Sequence, residues 1–312
     1  MATQTLAMAQ LLINNEIVAG LVEDYITLNP MYDLIPWTGY EGQGLIVNRE
    51  LTLGPTEKAA VGATITATAK TSSTFTQKIF KATKLIGDAE MDGLVQAQQV
   101  SAGVDQVALE IRLKAKNLSR QFQEGMALDD GSSPNMNSFH SLVDATQYTA
   151  AATTQTVEFL LLDELLDLVL SKGGESDFLM MPDRTIRSYK VLLRALGGTP
   201  ADWVVTLPSG RKVITYEGIP IFRNQWLSTT ETANGAALTT GTLTSVWAGV
   251  FDDGSSKIGC AGIHPSSVPG GIMMQYVGAQ EAKDVDIWRV KQYANFALFS
   301  RKGLARAPSI SN

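Results

Sequence analysis

Seven apolar residues, Val100, Val104, Val107, Ile111, Ala115, Leu118 and Phe122, recur at steps of 4, 3, 4, 4, 3 and 4. That is the period of one helix face, and it predicts a helix from about Asp92 to about Leu128. Such a helix would span ~50 Å, several times the usual length. Glu110 and Lys114 stand at i,i+4 in the favoured order on its wet face, and Asp129-Asp130-Gly131 stops it.

Upstream, Gly54 to Thr74 reads GPTEKAAVGATITATAKTSST and carries only two large aliphatic residues, Val61 and Ile65. On one side Leu45, Val47, Leu51 and Leu53 alternate with polar neighbours, with a break at Arg49; on the other, Phe75, Ile79 and Leu85 do so less regularly. Two strands therefore flank a polar tip. A two-stranded ribbon is marginal alone in water. The tract suits either a surface loop or an arm satisfied by a neighbouring subunit, and taken alone it favours the loop.

The rest of the chain reads as α+β. Leu11, Val18, Leu21, Val22 and Tyr25 suggest a short helix on an N-terminal arm. Thr156 can cap a helix burying Leu161, Leu165 and Leu168 and closing at Lys172-Gly173. The strand DFLMMP follows, then a helix capped by Asp183, with Ile186, Tyr189, Leu193 and Leu196 on one face and an end at Gly197-Gly198. Short strands surround turns at Glu217-Gly218 and Asp253-Gly254, and two more close the chain. No fixed-period repeat is visible.

Few chemistries fit. A net charge of −6 without any block of five like charges argues against sequence-specific reading of nucleic acid. The one cysteine, Cys260, excludes an intramolecular disulfide and a cysteine zinc site, and suits synthesis in a reducing cytoplasm. No basic signal segment and no ~18-residue apolar run is present, so the chain reads as soluble and needing no membrane. His140 and His264 lack partners at ligand spacing, and DDGSSP and DDGSSK read as turns. GYEGQG does not lead from a strand into a helix, so no phosphate cradle is expected. Asp163 and Asp167 fall on a polar helix face, and the pairs Met180-Met181 and Met273-Met274 suit core or interface filling. No catalytic residue, cofactor or metal site is expected.

This order of elements resembles the major capsid protein of tailed bacteriophages, the fold named after phage Hong Kong 97. DFLMMPDRTIRSYKVLLRAL, YEGIPIFRNQWLS, SVWAGVFDDG and VDIWRVKQYANFALFSRKGLARA carry the likeness, which covers nearly the whole chain. It implies an N-terminal arm over 1–30 and an extended loop over 44–87. A peripheral domain over 31–43, 86–140 and 282–312 would hold the long helix, about 92–128, and an axial domain would cover 141–281.

The resemblance also implies a homo-oligomer of pentamers and hexamers enclosing double-stranded DNA in a virion. Separate scaffold, portal and decoration proteins would be possible partners. Because the arm begins almost at Met1, a separate scaffold or none is expected. Glu57, Lys58, Ile65, Lys70 and Thr74 would touch the next subunit. Certain family members join a loop Lys to an Asn of a neighbour with a Glu assisting; Lys58 or Lys70 with Asn295 would match, although no Glu adjoins Asn295. Three other readings compete: an encapsulin-like compartment shell, a monomeric hydrolase with a scattered site, and a phage decoration or tail protein, for which the long helix and long hairpin are uncommon.

Overall fold

The computed structural model describes residues 31–100, 106–149, 154–170, 175–195, 197, 204–206, 212–268 and 272–311. The expected arm helix over residues 1–30 lies outside them. After the short strand β1 (Trp37–Tyr40), β2 (Leu45–Thr52) and β3 (Thr74–Phe80) pair antiparallel, with Leu45 opposite Phe80 and Thr52 opposite Thr74. They form a two-stranded sheet of their own. The strand expected before the polar tract is present, but the one expected after it breaks at Lys81-Ala82. Phe75 and Ile79 lie in β3, whereas Leu85 lies in the next strand, Thr83–Asp92, which pairs elsewhere, and the tract is the tip of the β2–β3 ribbon.

The chain then enters β4 (Thr83–Asp92), and Asp92 caps the next helix, Gly93–Val100, by accepting from the Leu94 N–H at 2.9 Å. A second helical stretch runs Gln106–Leu128, with residues 101–105 outside the described ones. The apolar stripe behaves as its period requires. Leu118, Phe122 and Met126 are buried, whereas Val107, Ile111 and Ala115 are only partly covered. Phe122 packs against Tyr32 and Trp37 at ring distances of 5.5 and 5.2 Å. Lys114 lies 3.8 Å from Glu110, and the helix ends at Leu128, before Gly131 with its φ of +77°.

Later strands are β5 (Phe178–Met181), β6 (Val204–Thr206), β7 (Lys212–Tyr216), β8 (Ile219–Arg223), β9 (Thr244–Gly249), β10 (Cys260–Pro265), β11 (Ile272–Ala279), β12 (Val285–Leu298) and β13 (Leu304–Ile310). They divide between two sheets. In one, β12 pairs with β4 and β11 along the same stretch and with β10 near its end, while β1 runs parallel to β10. Arg289 of β12 pins this sheet by donating from Nε and Nη2 to the two carboxylate oxygens of Asp88 on β4, at 2.7 and 2.8 Å. The other sheet has the order β13-β9-β5-β8-β7-β6.

The six-stranded sheet separates two cores because strand side chains alternate in direction. Phe178, Met180 and Trp247 face a core shared with Phe122, Phe139 and Phe296. Leu179, Met181, Val246 and Ala248 face another, built with Leu161, Leu162, Leu165 and Val169 of the helix Phe159–Leu170 and Ile186 and Tyr189 of the helix Asp183–Ala195. Met180-Met181 is thus core filling. Met273-Met274 is exposed on β11.

The expected division into 141–281 and 282–312 does not follow the sheets. β10 and β11 join β12 in the five-stranded sheet, and β13 crosses into the six-stranded one beside β9. Which sheet a strand enters depends on partners distant in sequence, and local periodicity carries no trace of that choice. The helix-closing signals Lys172-Gly173 and Gly198 lie outside the described residues; Gly197 has a φ of +69°.

Candidate assembly interface

The ribbon grows from a polar joint set in apolar packing. Phe80 is fully buried against Phe299, edge to face at 6.4 Å, and Leu45 and Val47 pack partly onto the same core. The Ala82 N–H donates to the Tyr40 hydroxyl at 3.0 Å. Asn295, in β12, donates from Nδ2 to the Lys81 carbonyl at 2.6 Å and accepts at Oδ1 from the N–H groups of Asn137 and Phe296, at 2.8 and 2.7 Å. Its side chain thus holds the return strand of the ribbon to the turn after the long helix. Asn295 is 5% exposed.

Arg49 adds a second tie. Its Nε donates to the Phe299 carbonyl at 2.9 Å, its Nη2 donates to the Leu298 carbonyl, and the guanidinium lies over the Phe80 ring at 5.7 Å. Burial and the nearby Arg301 both hold the Arg49 pKa below the usual guanidinium value. In the sequence, its only signal was the break it makes in the apolar alternation of β2.

Beyond Arg49 the described bonds run within the ribbon. Thr52 and Thr74 share a hydroxyl hydrogen bond of 2.6 Å, and the Gly54 N–H donates to Ser73 Oγ at 2.8 Å. Glu57 accepts from both the N–H and the hydroxyl of Thr66 at 2.7 Å, which lowers its pKa from the ordinary value. A single 3-10 turn covers Thr68–Lys70.

Glu57, Lys58, Ile65, Lys70 and Thr74 are all exposed, and four of them sit in the tip beyond the Thr52–Thr74 pair. Asn295 lies at the opposite end of the ribbon, a strand length of roughly 25 Å away. Within one chain the structure therefore does not bring Lys58 or Lys70 to Asn295.

The outer ribbon carries several apolar side chains in the open. Leu51, Leu53, Ile65 and Phe75 are 52, 72, 55 and 70% exposed, and Val61 is bare. A second such surface is β11, the end strand of its sheet, where Ile272, Met273, Met274, Tyr276 and Val277 are exposed on both faces. Long apolar edge strands are pairing sites for other chains. Of the two roles expected for Met273-Met274, core or interface filling, their exposure leaves the interface.

Among the described residues the buried polar groups tie elements of the fold together. Arg306 donates to Glu231 and Ser245 while its guanidinium lies between the rings of Trp247 and Tyr148, at 5.2 and 5.4 Å. His140 stands edge-on to Trp247 at 4.9 Å, and burial with Arg306 nearby pushes its pKa down to about 3. His264 lies with Nδ1 3.0 Å from the Pro265 carbonyl.

Asp130 accepts from Ser132 and Asn135, and Asp252 and Asp253 from the N–H groups of Gly254 and Ser255, so both DDGSS segments are turns. Asp167 is exposed, but Asp163 accepts from the Tyr216 hydroxyl and ties its helix to β7 rather than facing only water. Among the described residues no His, Cys, Asp or Glu cluster is placed to hold a metal, and no helix is long and apolar enough to cross a membrane.

No protein-family model matches the chain, and no curated protein matches it. Solved structures do. The holo-SrpI encapsulin complex from Synechococcus elongatus PCC 7942 is similar with a TM-score of 0.69 at 19% identity, covering 100% of this chain and 97% of that one. The capsid of Myoviridae phage XM1 has a TM-score of 0.59 at 9% identity, covering 95 and 96%. The phage G gp27 major capsid proteins, solved with gp26 decoration proteins, give 0.58 at 12% identity and 100% of both chains.

Proposed function

We propose that this chain, which has the Hong Kong 97-like capsid fold, is the major capsid protein of a double-stranded DNA phage. Copies assemble through pentamers and hexamers into an icosahedral head. It is a structural protein and not an enzyme.

One observation carries the reading. The ribbon beyond Arg49 exposes Leu51, Leu53, Val61, Ile65 and Phe75, and its hydrogen bonds among the described residues close on itself. A two-stranded ribbon in this state gains stability by lying on a second copy, where strand edges and apolar side chains find partners. Glu57, Lys58, Ile65, Lys70 and Thr74 are the residues proposed to meet that copy. Because each subunit touches several others, individually weak contacts hold a closed shell through multivalency. The net charge of −6 suits a container that holds DNA without gripping it.

An encapsulin-like compartment is the second reading, favoured by the TM-score of 0.69 to an encapsulin over essentially both full chains. Light scattering and negative-stain imaging of the expressed protein test the shell itself. Closed isometric particles are expected, and a monomer at every concentration contradicts both readings. Nucleic acid in particles from the native source supports the phage head; a protein-only content with an enclosed enzyme supports the compartment.

A further inference from the structure

We propose that Arg49 is a latch that fixes the angle between ribbon and body and thereby sets the diameter of the shell. The inference rests on the shell-forming reading above. β2 and β3 pair only with each other, so no backbone ladder continues from the ribbon into either large sheet. At the root, Phe80, Tyr40 and Asn295 fix where the ribbon starts. The two chain crossings there, beside Gly44 and at Lys81-Ala82, join the ribbon to the body, and Leu45 and Val47 pack onto the core. Past Val47 it is Arg49 that bonds to the body among the described residues.

The Arg49 fork reaches two successive carbonyls, those of Leu298 and Phe299, where β12 ends. A planar guanidinium bonded to two acceptors is directional in a way that an apolar contact is not. Past it the ribbon stands over an open cleft of about 600 Å³. Leu51, Thr52 and Leu53 line the ribbon side, and Asp144, Lys257 and Arg301 line the body side. The ribbon therefore has room to swing once the fork is undone.

Asp144 supports the latch through charge. It lies 3.6 Å from Arg301, which lines the same cleft as Arg49 and acts on it as a like charge. Asp144 also caps a short turn by accepting from the Thr146 N–H at 3.0 Å. An Asn at this position keeps the cap and removes the balancing charge. When the tip lies on the next copy, the ribbon angle becomes the angle between neighbours. A closed shell of given size requires one such rotation.

The test uses Arg49→Lys, which keeps the charge without the fork, Arg49→Ala, and Asp144→Asn. Particle diameters are measured by electron microscopy, and amide hydrogen exchange of residues 45–52 and 74–80 is measured on the dissociated, folded subunit. Both Arg49 variants are expected to shift or split the diameter distribution and to speed ribbon exchange, with Asp144→Asn moving the same way by less. Wild-type diameters in a single class for both Arg49 variants overturn the proposal. If a variant makes no particles, faster ribbon exchange in a subunit with wild-type melting supports the latch, and unchanged exchange overturns it. A wild-type protein that never assembles sinks the shell reading and the diameter claim with it, and the exchange result then decides only whether Arg49 holds the ribbon to the body.

Discussion

Arg306 Nη2 stands 3.0 Å from Glu231 Oε2, with the two side chains 3 and 1% exposed, so β13 and the loop before β9 share an ion pair removed from water. Ser245 completes it by donating to Glu231 and accepting from Arg306. Removing one partner strands the other charge. Arg306→Met is expected to destabilise the subunit by about 3–5 kcal/mol. Denaturant unfolding of the dissociated subunit measures this, and a loss near zero would show that Glu231 is solvated or protonated.

His140 supplies an acid sensitivity. Its pKa is depressed to about 3 in the folded chain against 6.5 when free. The unfolded chain therefore takes up a proton between those values while the folded chain does not. The stabilisation is fully present above pH 6.5 and is lost as pH falls toward 3. Between pH 6.5 and 5 the loss approaches roughly 2 kcal/mol. Glu231, raised by burial, acts in the opposite sense at the acid end, so the comparison is with His140→Phe. Unfolding curves at the two pH values should differ less in the variant. Equal differences would refute the assignment to His140.

Asn295 joins three backbone groups at the ribbon root. Asn295→Ala leaves the Lys81 carbonyl and the N–H groups of Asn137 and Phe296 without that partner. The expected cost is on the order of 2 kcal/mol or more in denaturant unfolding. If Asn295 serves only as this joint, boiled particles run as a monomer on an SDS gel. A ladder abolished by Asn295→Asp would instead make it a covalent partner of a neighbour.

Phe122 tests the long helix as part of the core. Phe122→Ala removes a fully buried ring that contacts Tyr32 and Trp37, and is expected to cost about 3–5 kcal/mol. Val107→Ala, on the partly covered half, should cost far less. Equal losses would mean that the stripe is buried evenly.

The elements that show in the sequence are those fixed by local pattern. The stripe through Leu118 and Phe122 names the buried face of the long helix, and the alternation around Leu45 and Val47 names the ribbon strands. The polarity of Gly54 to Thr74 marks the tip. The joint is another matter. Arg49 meets residues 249 and 250 positions away, and Asn295 meets Lys81 across 214. Nothing near either residue announces that partner. Likewise β10 and β13 enter their sheets beside strands distant in the chain, a pairing decided by the packing of both cores.

The central claim is that the outer ribbon is stabilised by another copy. Val61, Ile65 and Phe75 replaced together by Ser test it most directly, because exposed substitutions leave subunit stability within about 0.5 kcal/mol each. Light scattering paired with thermal melting should show a folded subunit of wild-type melting temperature that no longer forms particles. Particles of wild-type yield and size from the triple variant would contradict the account.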